Sequence, residues 1–263
     1  MSYCNATYPA KELERVKLGK QRRPLLVDGF TIVKRYEKDS LAHYVAVNNR
    51  TRSIQLVFRG SDNLQNYITA VQTALVPADD KHFANTLPGP HVFEGYQEAA
   101  IAQMDAAADA VAETQRKYPN YATTIIGHSL GGAMAHYAAH YIRRKRQLPI
   151  LAVYTLGEPT IATVEFADKI VEQIGVPFYR IVSSNDVVPF IDESPSLGTG
   201  PATRATEIYC PDPNAYGMIR CKNVQDPRCS RHVPCTELSW DHHSDYAGFR
   251  ASQRVCLLSQ LVR

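Results

Sequence analysis

The sequence predicts a single α/β domain in which helices flank a mostly parallel sheet. The chain has 263 residues, a length typical of one such domain, and no linker-like segment divides it. Between residues 90 and 185, short apolar runs alternate with helical patterns. Strands that alternate with helices form crossover units, whose strands are parallel. We therefore expect residues 1–263 to fold as one unit.

The predicted strands are short runs rich in β-branched and aromatic residues, bounded by polar or turn-forming residues. They are Phe30–Tyr36, His43–Val47, Ile54–Phe58, Thr123–Ile126, Leu151–Thr155, Phe178–Ser183 and Thr206–Cys210. The predicted helices carry their apolar residues at helical spacing. They are Gly95–Gln115, Leu130–Arg146, Thr163–Ile174 and a C-terminal helix from about Ser244 to Leu261.

Charge and hydropathy exclude several classes of function. The net charge is only +3 and no DNA- or RNA-binding motif is present, so nothing indicates a nucleic-acid partner. No apolar run approaches the roughly 18 residues that a transmembrane helix needs. The basic run Arg143–Arg146 ends a predicted helix, where it complements the helix dipole.

Four of the six cysteines lie in residues 210–235, a segment rich in Pro, Asn and Asp that we treat as an excursion from the domain. An even number of cysteines in loop-rich sequence indicates disulfides and an oxidising compartment. The alternative is a zinc site, although the chain lacks the Cys-x-x-Cys pair that such sites usually contain. Its ligands would be Cys221, Cys229, His232 and Cys235.

Two features of the sequence bear on secretion. N-glycosylation sequons begin at Asn5 and Asn49, which agrees with a secreted protein. The first residues, Met1-Ser-Tyr-Cys-Asn5, contain no basic segment followed by an apolar one, so no signal peptide is visible. Three explanations stay open: a mature form with an added Met, a true start further upstream, or a cytosolic protein.

A serine lies between two glycines where a predicted strand gives way to a predicted helix. The segment Gly127-His-Ser-Leu-Gly131 fits the pattern Gly-x-Ser-x-Gly. A strained strand-to-helix turn leaves no room for side chains two residues before and after the serine, and it holds the hydroxyl clear of the backbone. The N-terminus of the next helix favours an oxyanion at the same place. We therefore predict that Ser129 is a nucleophile rather than an idle serine in a tight turn.

A serine nucleophile needs a base, and the base needs an acid to orient it. With this motif the chain order is serine, acid, histidine. Asp186 ends a β-rich apolar run, and active sites gather at the carboxyl ends of parallel strands. The alternative for Asp186 is a simple turn residue. Of the later histidines, His232 lies among the cysteines, and composition does not choose between His242 and His243.

Five segments together resemble the fungal class 3 lipase family, which includes triacylglycerol lipases, mono- and diacylglycerol lipases and feruloyl esterases. They are Val57–Ser61, His91–Tyr96, Ile125–Gly132, Tyr154–Pro159 and Ser184–Pro189, within a resemblance that runs from about Ile32 to Gly248. The resemblance implies the α/β-hydrolase fold with a nucleophile elbow and a helical lid. It also implies a serine-dependent carboxylic ester hydrolase that uses no metal and no organic cofactor.

The resemblance assigns a role to each matching residue. Ser129 would be the nucleophile and Asp186 the acid. His243 would be the base, because the family's histidine is followed by an aromatic residue three positions later and a glycine five positions later, here Tyr246 and Gly248. The oxyanion donors would be the backbone N–H of Leu130 together with the N–H and hydroxyl of Ser61.

The resemblance also implies that residues 62–75 form a lid. Asp62 and Gln65 have the spacing of a capping box. An apolar stripe at helical spacing follows, made of Leu64, Tyr67, Ile68, Val71 and Leu75. A lid of this kind covers the serine in water and turns its apolar face toward a lipid surface. The alternative is an ordinary surface helix whose apolar face packs on the core.

Three disulfides complete what the resemblance implies. Cys4 would pair with Cys256 and Cys221 with Cys229, which leaves Cys210 with Cys235. The family usually begins with a helix before its first Tyr-Cys, here Tyr3-Cys4, which favours a truncated or mispredicted N-terminus over a cytosolic protein.

We expect a secreted, monomeric lipase that hydrolyses long-chain acylglycerols at a lipid–water interface. One alternative is a feruloyl esterase or another esterase of soluble esters. The other is a lipase-like binding or signalling protein without catalysis, since a fold does not fix a function.

Overall fold

The computed structural model describes residues 26–27, 29–38, 41–60, 74–83, 87–213, 217–243, 245–246 and 249–250. The strands there are β1 (Leu26–Val27), β2 (Phe30–Lys38), β3 (Leu41–Asn48), β4 (Ser53–Phe58), β5 (Leu75–Pro77), β6 (Pro90–Phe93), β7 (Ala122–His128), β8 (Ala152–Leu156), β9 (Phe178–Ser183), β10 (Thr206–Cys210), β11 (Ile219–Arg220), β12 (Asp245–Tyr246) and β13 (Phe249–Arg250). The α-helices are α1 (Asp80–Phe83), α2 (Glu94–Lys117), α3 (Leu130–His140) and α4 (Val164–Ile174), and a π-helical turn, Tyr141–Lys145, continues α3.

Within this part of the chain, nine strands form one sheet in the order β1-β2-β3-β4-β7-β8-β9-β10-β11. The five central strands, β4 and β7 to β10, are parallel. The strands at the two edges are antiparallel. The α/β architecture predicted from the alternation of strands and helices is therefore confirmed.

Neighbouring residues of the central strands serve opposite faces of the sheet, as the two-residue period of a strand requires. Ile125 packs in a core with residues of α2, α3 and α4, whereas Ile126 packs on the other face. Leu56 and Val57 alternate in the same way. The three longer helices thus cover one face, and a smaller apolar cluster covers the other.

Helix α4 shows how the sequence sets the ends of an element. Thr163 is its N-cap, and the Thr163 hydroxyl accepts a hydrogen bond from the backbone N–H of Phe166 at 3.3 Å. Gly175 ends the helix in the left-handed conformation, with φ of 66°. The helix predicted for Thr163–Ile174 is confirmed, with Thr163 as its cap.

The C-terminal helix predicted from about Ser244 is wrong where it begins. Strands β12 and β13 pair there as an antiparallel hairpin, with Tyr246 opposite Phe249. The Tyr246 side chain is buried, and its ring lies edge-on to His128 with centroids 5.8 Å apart. The strand pairing and the burial of Tyr246 against a distant residue replace the local helical pattern at these positions. The remainder of that predicted helix lies outside the described residues.

One predicted disulfide is present and another is not. Cys221 is bonded to Cys229, so the zinc alternative, which needs both sulfurs as metal ligands, is wrong. Cys210 and Cys235 are not bonded to each other, because Cys210 is buried at the end of β10 whereas Cys235 is exposed in a short turn. The predicted Cys4–Cys256 pair lies outside the described residues.

The predicted lid falls mostly outside the described residues, which resume at residue 74. Leu75, placed at the end of the lid helix by its spacing, lies instead in β5 and pairs with Phe93 of β6. The helix boundary at Leu75 is therefore wrong, because backbone pairing with β6 holds that residue extended. None of the helices that the structure describes has the length and apolar character needed to cross a membrane.

Candidate active site

Ser129 occupies the turn between β7 and α3. Its backbone has φ of 58° and ψ of −128°, a conformation that costs a non-glycine residue on the order of 1–3 kcal/mol. The backbone N–H of Ser129 donates to the carbonyl oxygen of Leu156 in β8 at 2.8 Å, which fixes the turn against the sheet. Ser129 is fully buried, and among the described residues its hydroxyl has no hydrogen-bond partner.

The two flanking glycines are required by the close approach of the backbone. A Cβ atom at Gly127 would lie 1.9 Å from the carbonyl oxygen of Gly131. A Cβ at Gly131 would lie 2.4 Å from the carbonyl oxygen of Phe58, at the end of β4. No side chain fits at either position, which is the crowding that the motif predicts.

Asp186 and His243 come together next to this turn. The Nδ1 atom of His243 is 2.8 Å from Oδ2 and 3.0 Å from Oδ1 of Asp186. Asp186 is fully buried and His243 is 2% exposed, so water does not compete for this contact. A carboxylate only accepts hydrogen bonds, so Nδ1 carries the proton and the lone pair is on Nε2. That Nε2 atom is buried and has no hydrogen-bond partner in the described part of the chain.

The loops that carry Asp186 and His243 are held to each other by their backbones. Ser239 donates its N–H to the carbonyl of Asn185 at 2.8 Å, and Val187 donates to the carbonyl of Ser239 at 3.0 Å. Oδ1 of Asp186 also accepts from the N–H of Val188 at 2.9 Å. These bonds place His243, rather than its neighbour His242, against Asp186.

His128 ties the nucleophile turn to the loop of His243. Its Nε2 atom is 2.8 Å from the carbonyl oxygen of His243, and the two rings lie 4.6 Å apart. Burial is the main cause that lowers the pKa of His128 to about 3, and the electrostatic effect of the neighbouring His243 lowers it further. The His128 ring is therefore neutral near pH 7, and it donates a hydrogen bond from Nε2–H to that carbonyl. Sequence reasoning missed this residue, although it stands at the variable position of the motif directly before Ser129.

Gly157, directly after β8, lies against both Asp186 and His243. It has φ of 55°, and a Cβ atom there would be 2.7 Å from Cε1 of His243 and 2.9 Å from Oδ2 of Asp186. Sequence reasoning gave no role to this glycine. Its only signal was the Gly-Glu-Pro segment that follows a predicted strand.

Glu158, the next residue, anchors this segment in a buried polar cluster. Its carboxylate is 2.6 Å from Nδ1 of His136, 2.6 Å from the hydroxyl of Thr155 and 3.6 Å from Nε of Arg180. All four side chains are buried. A buried carboxylate is stable only with such partners, so the cluster fixes the backbone beside Gly157.

The predicted oxyanion donors lie on two segments, of which the structure describes one. Leu130 begins α3, where the first N–H groups of a helix have no partner within the helix. A Cβ atom at Gly60 would lie 3.3 Å from the Cβ of Ser129, so the chain after β4 passes beside the serine. Ser61 and the lid residues Leu64, Tyr67, Ile68 and Val71 lie outside the described residues.

In the described part of the chain, potential metal-binding atoms lie close together on Glu207, Cys221 and Cys229. The two sulfurs are joined in the disulfide, and Glu207 accepts hydrogen bonds from the N–H and hydroxyl of Ser230 at 3.0 Å and 2.7 Å. These contacts describe a structural cluster that includes neither Ser129 nor His243.

Known proteins resemble this chain in sequence and in fold. A lipase of Rhizopus niveus is 31% identical over 207 residues, which are 76% of this chain and 50% of that protein. The secreted mono- and diacylglycerol lipase 1 of Fusarium solani is 34% identical over 154 residues, 58% of this chain and 43% of that protein. This chain spans about half the length of these curated relatives.

The fold matches solved lipase structures. Lipase II from Rhizopus niveus superposes with a TM-score of 0.74 at 24% identity, covering 95% of this chain and 94% of that one. This likeness confirms the α/β-hydrolase fold expected from the sequence. Residues 55–194 match the family described as "Lipase (class 3)", a range that contains Ser129 and Asp186 and ends before His243. The chain therefore belongs to the class 3 lipase family.

Proposed function

We propose that this chain is a carboxylic ester hydrolase that cleaves acylglycerols through Ser129, His243 and Asp186. The observation that carries the proposal is the buried contact of 2.8 Å between Nδ1 of His243 and Asp186, next to a serine on a strained turn. A histidine oriented in this way is the base that a serine nucleophile needs. The names of the relatives, lipase and mono- and diacylglycerol lipase, support an acylglycerol substrate.

In the acylation step, Nε2 of His243 takes the proton of the Ser129 hydroxyl while Oγ attacks the ester carbonyl carbon. The negative charge on the carbonyl oxygen is stabilised by the N–H of Leu130 and by the N–H and hydroxyl of Ser61. Asp186 stabilises the imidazolium and keeps its proton on Nδ1. The imidazolium then protonates the leaving alcohol, and the acyl group stays on Ser129.

In the deacylation step, water takes the place of the alcohol. His243 removes a proton from that water, which attacks the acyl carbon, and the proton passes to Ser129 as the fatty acid leaves. Loss of one oxyanion donor typically slows such a reaction by about 10²–10³-fold. The proposed chemistry is complete with these side chains and water.

The lid, the cellular location and the assembly state belong to the same proposal. Residues 62 to about 74 would form an amphipathic lid whose apolar face meets lipid. Exposing that face to water costs about 25 cal/mol per Å², and a lipid surface removes this cost. The disulfide and the secreted relatives support an extracellular enzyme. We propose that it acts as a monomer and a single domain.

The experiment compares hydrolysis of tributyrin and of an olive-oil emulsion by wild type, Ser129→Ala, His243→Ala and the matched control His242→Ala. We expect the first two substitutions to reduce kcat by on the order of 10⁴–10⁶-fold and the control to stay close to wild type. Loss of activity in His242→Ala alone would contradict the assignment of the base.

A second measurement tests the substrate class. Hydrolysis of tributyrin should rise sharply above its solubility limit if a lid opens at an interface. An enzyme that is inert on both lipids but cleaves feruloyl methyl ester would be an esterase of soluble esters. Inactivity on all three would leave the non-catalytic alternative.

A further inference from the structure

The turn between β3 and β4 carries an acceptor sequence for N-linked oligosaccharide, Asn49-Arg-Thr51. Residues 49 to 52 form this turn, and the side chains of all four are exposed. An acceptor asparagine must be reached by a bulky enzyme and must then carry a bulky glycan, so exposure in a short turn satisfies both requirements.

The contacts of the turn leave the reacting atom of Asn49 available. The hydroxyl of Tyr121 donates a hydrogen bond to Oδ1 of Asn49 at 3.0 Å. This bond engages the amide oxygen, whereas the sugar is attached to the amide nitrogen Nδ2. The hydroxyl of Thr51 lies 2.6 Å from that of Ser53 on the exposed surface. A glycan on Nδ2 therefore keeps both contacts.

The turn lies at one end of the parallel strands, and the candidate active site lies at the other end. Strand β4 begins directly after the turn and runs parallel to β7, with Ser53 paired to Ala122 and Phe58 paired to Gly127. Ser129 follows the far end of β7. Strand β4 has six residues at about 3.3 Å each, so its two ends are about 20 Å apart.

We propose that Asn49 is an N-glycosylation site of this protein, an inference that rests on the extracellular location in the proposed function. The co-reactant is an oligosaccharide carried on a lipid-linked pyrophosphate. A bond forms between Nδ2 and the anomeric carbon, the bond from that carbon to the pyrophosphate oxygen breaks, and Nδ2 loses one proton. The lipid pyrophosphate leaves with the electron pair.

The position of the glycan has a functional consequence. Oligosaccharide on this turn adds a large hydrated group at the end of the strands that is away from Ser129, Asp186 and His243. The opposite end of the strands, which meets the lipid surface in the proposed function, stays uncovered. Removal of the glycan should therefore change kcat and KM for a soluble short-chain ester by less than twofold.

The test expresses the full chain through a eukaryotic secretory pathway, with Asn5→Gln in every variant so that the sequon at Asn5 does not contribute. Intact mass should show one oligosaccharide. Enzymatic release of the glycan should deamidate position 49 in the peptide map. Thr51→Ala, which leaves Asn49 in place, should lose the mass increase completely, and Asn49→Gln should lose it as well. The matched control Thr51→Ser preserves the acceptor pattern and should retain the glycan.

A secreted protein with an unmodified Asn49 in the peptide map would overturn the inference, whether or not the protein hydrolyses tributyrin. A mass increase that survives Thr51→Ala would overturn it too. A protein that is glycosylated at Asn49 yet inert on every ester would refute the proposed hydrolase and leave the glycosylation site standing.

Discussion

Two buried histidines should make the folded state sensitive to acid. His128 and His140 are each 1% exposed. Burial is the main cause that lowers the pKa of His128 from 6.5 to about 3 and that of His140 from 6.5 to about 4. Between these values and pH 6.5, the unfolded chain binds a proton at each histidine and the folded protein does not. Stability is therefore complete above pH 6.5 and falls as the pH decreases below it.

The size of the effect follows from the distance between the pH and the unfolded pKa. At pH 5 this distance is about 1.5 units, and one unit corresponds to about 1.36 kcal/mol. Each histidine then lowers the free energy of unfolding by about 2 kcal/mol, and the two together by about 4 kcal/mol. That is a large share of the roughly 5–15 kcal/mol that stabilises an ordinary protein.

The assay is urea unfolding at pH 8 and pH 5 for wild type and for the double variant His128→Gln, His140→Gln. Glutamine keeps a donor for the carbonyl of His243 and for Oε1 of Gln173, which His140 contacts at 2.6 Å, but it does not titrate. We expect wild type to lose about 4 kcal/mol more than the double variant between the two pH values. His232→Gln, at an exposed histidine, is the control and should behave as wild type. Equal losses in wild type and the double variant would refute the reasoning.

Three substitutions test other contacts of the site. Gly157→Ala puts a Cβ 2.7 Å from Cε1 of His243 at a positive φ. It should therefore destabilise the fold by on the order of 1–3 kcal/mol and reduce kcat. An unchanged kcat with tributyrin would contradict this. His128→Phe removes the hydrogen-bond donor to the carbonyl of His243. We therefore expect kcat to fall by about 10–100-fold with little change in KM. The control is His128→Gln, which keeps a donor. Glu158→Gln leaves the buried Arg180 without its carboxylate partner. The free energy of unfolding, measured by thermal unfolding, should therefore fall by about 3–5 kcal/mol. A decrease below about 1 kcal/mol would show that the contacts of Glu158 do not hold the backbone beside Gly157.

Local pattern was enough to predict most of the elements that carry the site. Strands such as Phe178–Ser183 were predicted because β-branched and aromatic runs end at polar turn residues, and the structure confirms that strand. The Gly127–Gly131 motif predicted the strand-to-helix turn because its crowding is local to a few residues. Asp186 could be singled out because it follows the end of a strand, a position that the sequence itself defines.

Contacts between distant parts of the chain were not predictable in the same way. The bond from His128 to the carbonyl of His243 joins residues 115 positions apart, and no periodicity connects them. Strands β12 and β13 pair where a helix was expected, and Tyr246 is buried there against His128, which lies far away in the sequence. The disulfide expected for Cys210 failed because pairing by count ignores that Cys210 is buried in the sheet.

The contact between His128 and His243 also bears on when, during synthesis, the side chains of the candidate site can come together. Synthesis runs from the N-terminus, so the turn with Ser129 leaves the ribosome long before the loop of His243 exists. Strands β4 and β7, which precede Ser129 in the chain, are complete before His243 has been synthesised. The contacts of His243 with Asp186 and His128 can form only after the last of these three residues has been synthesised. Under the proposed mechanism, a chain that ends before His243 therefore lacks the base and should not hydrolyse an ester.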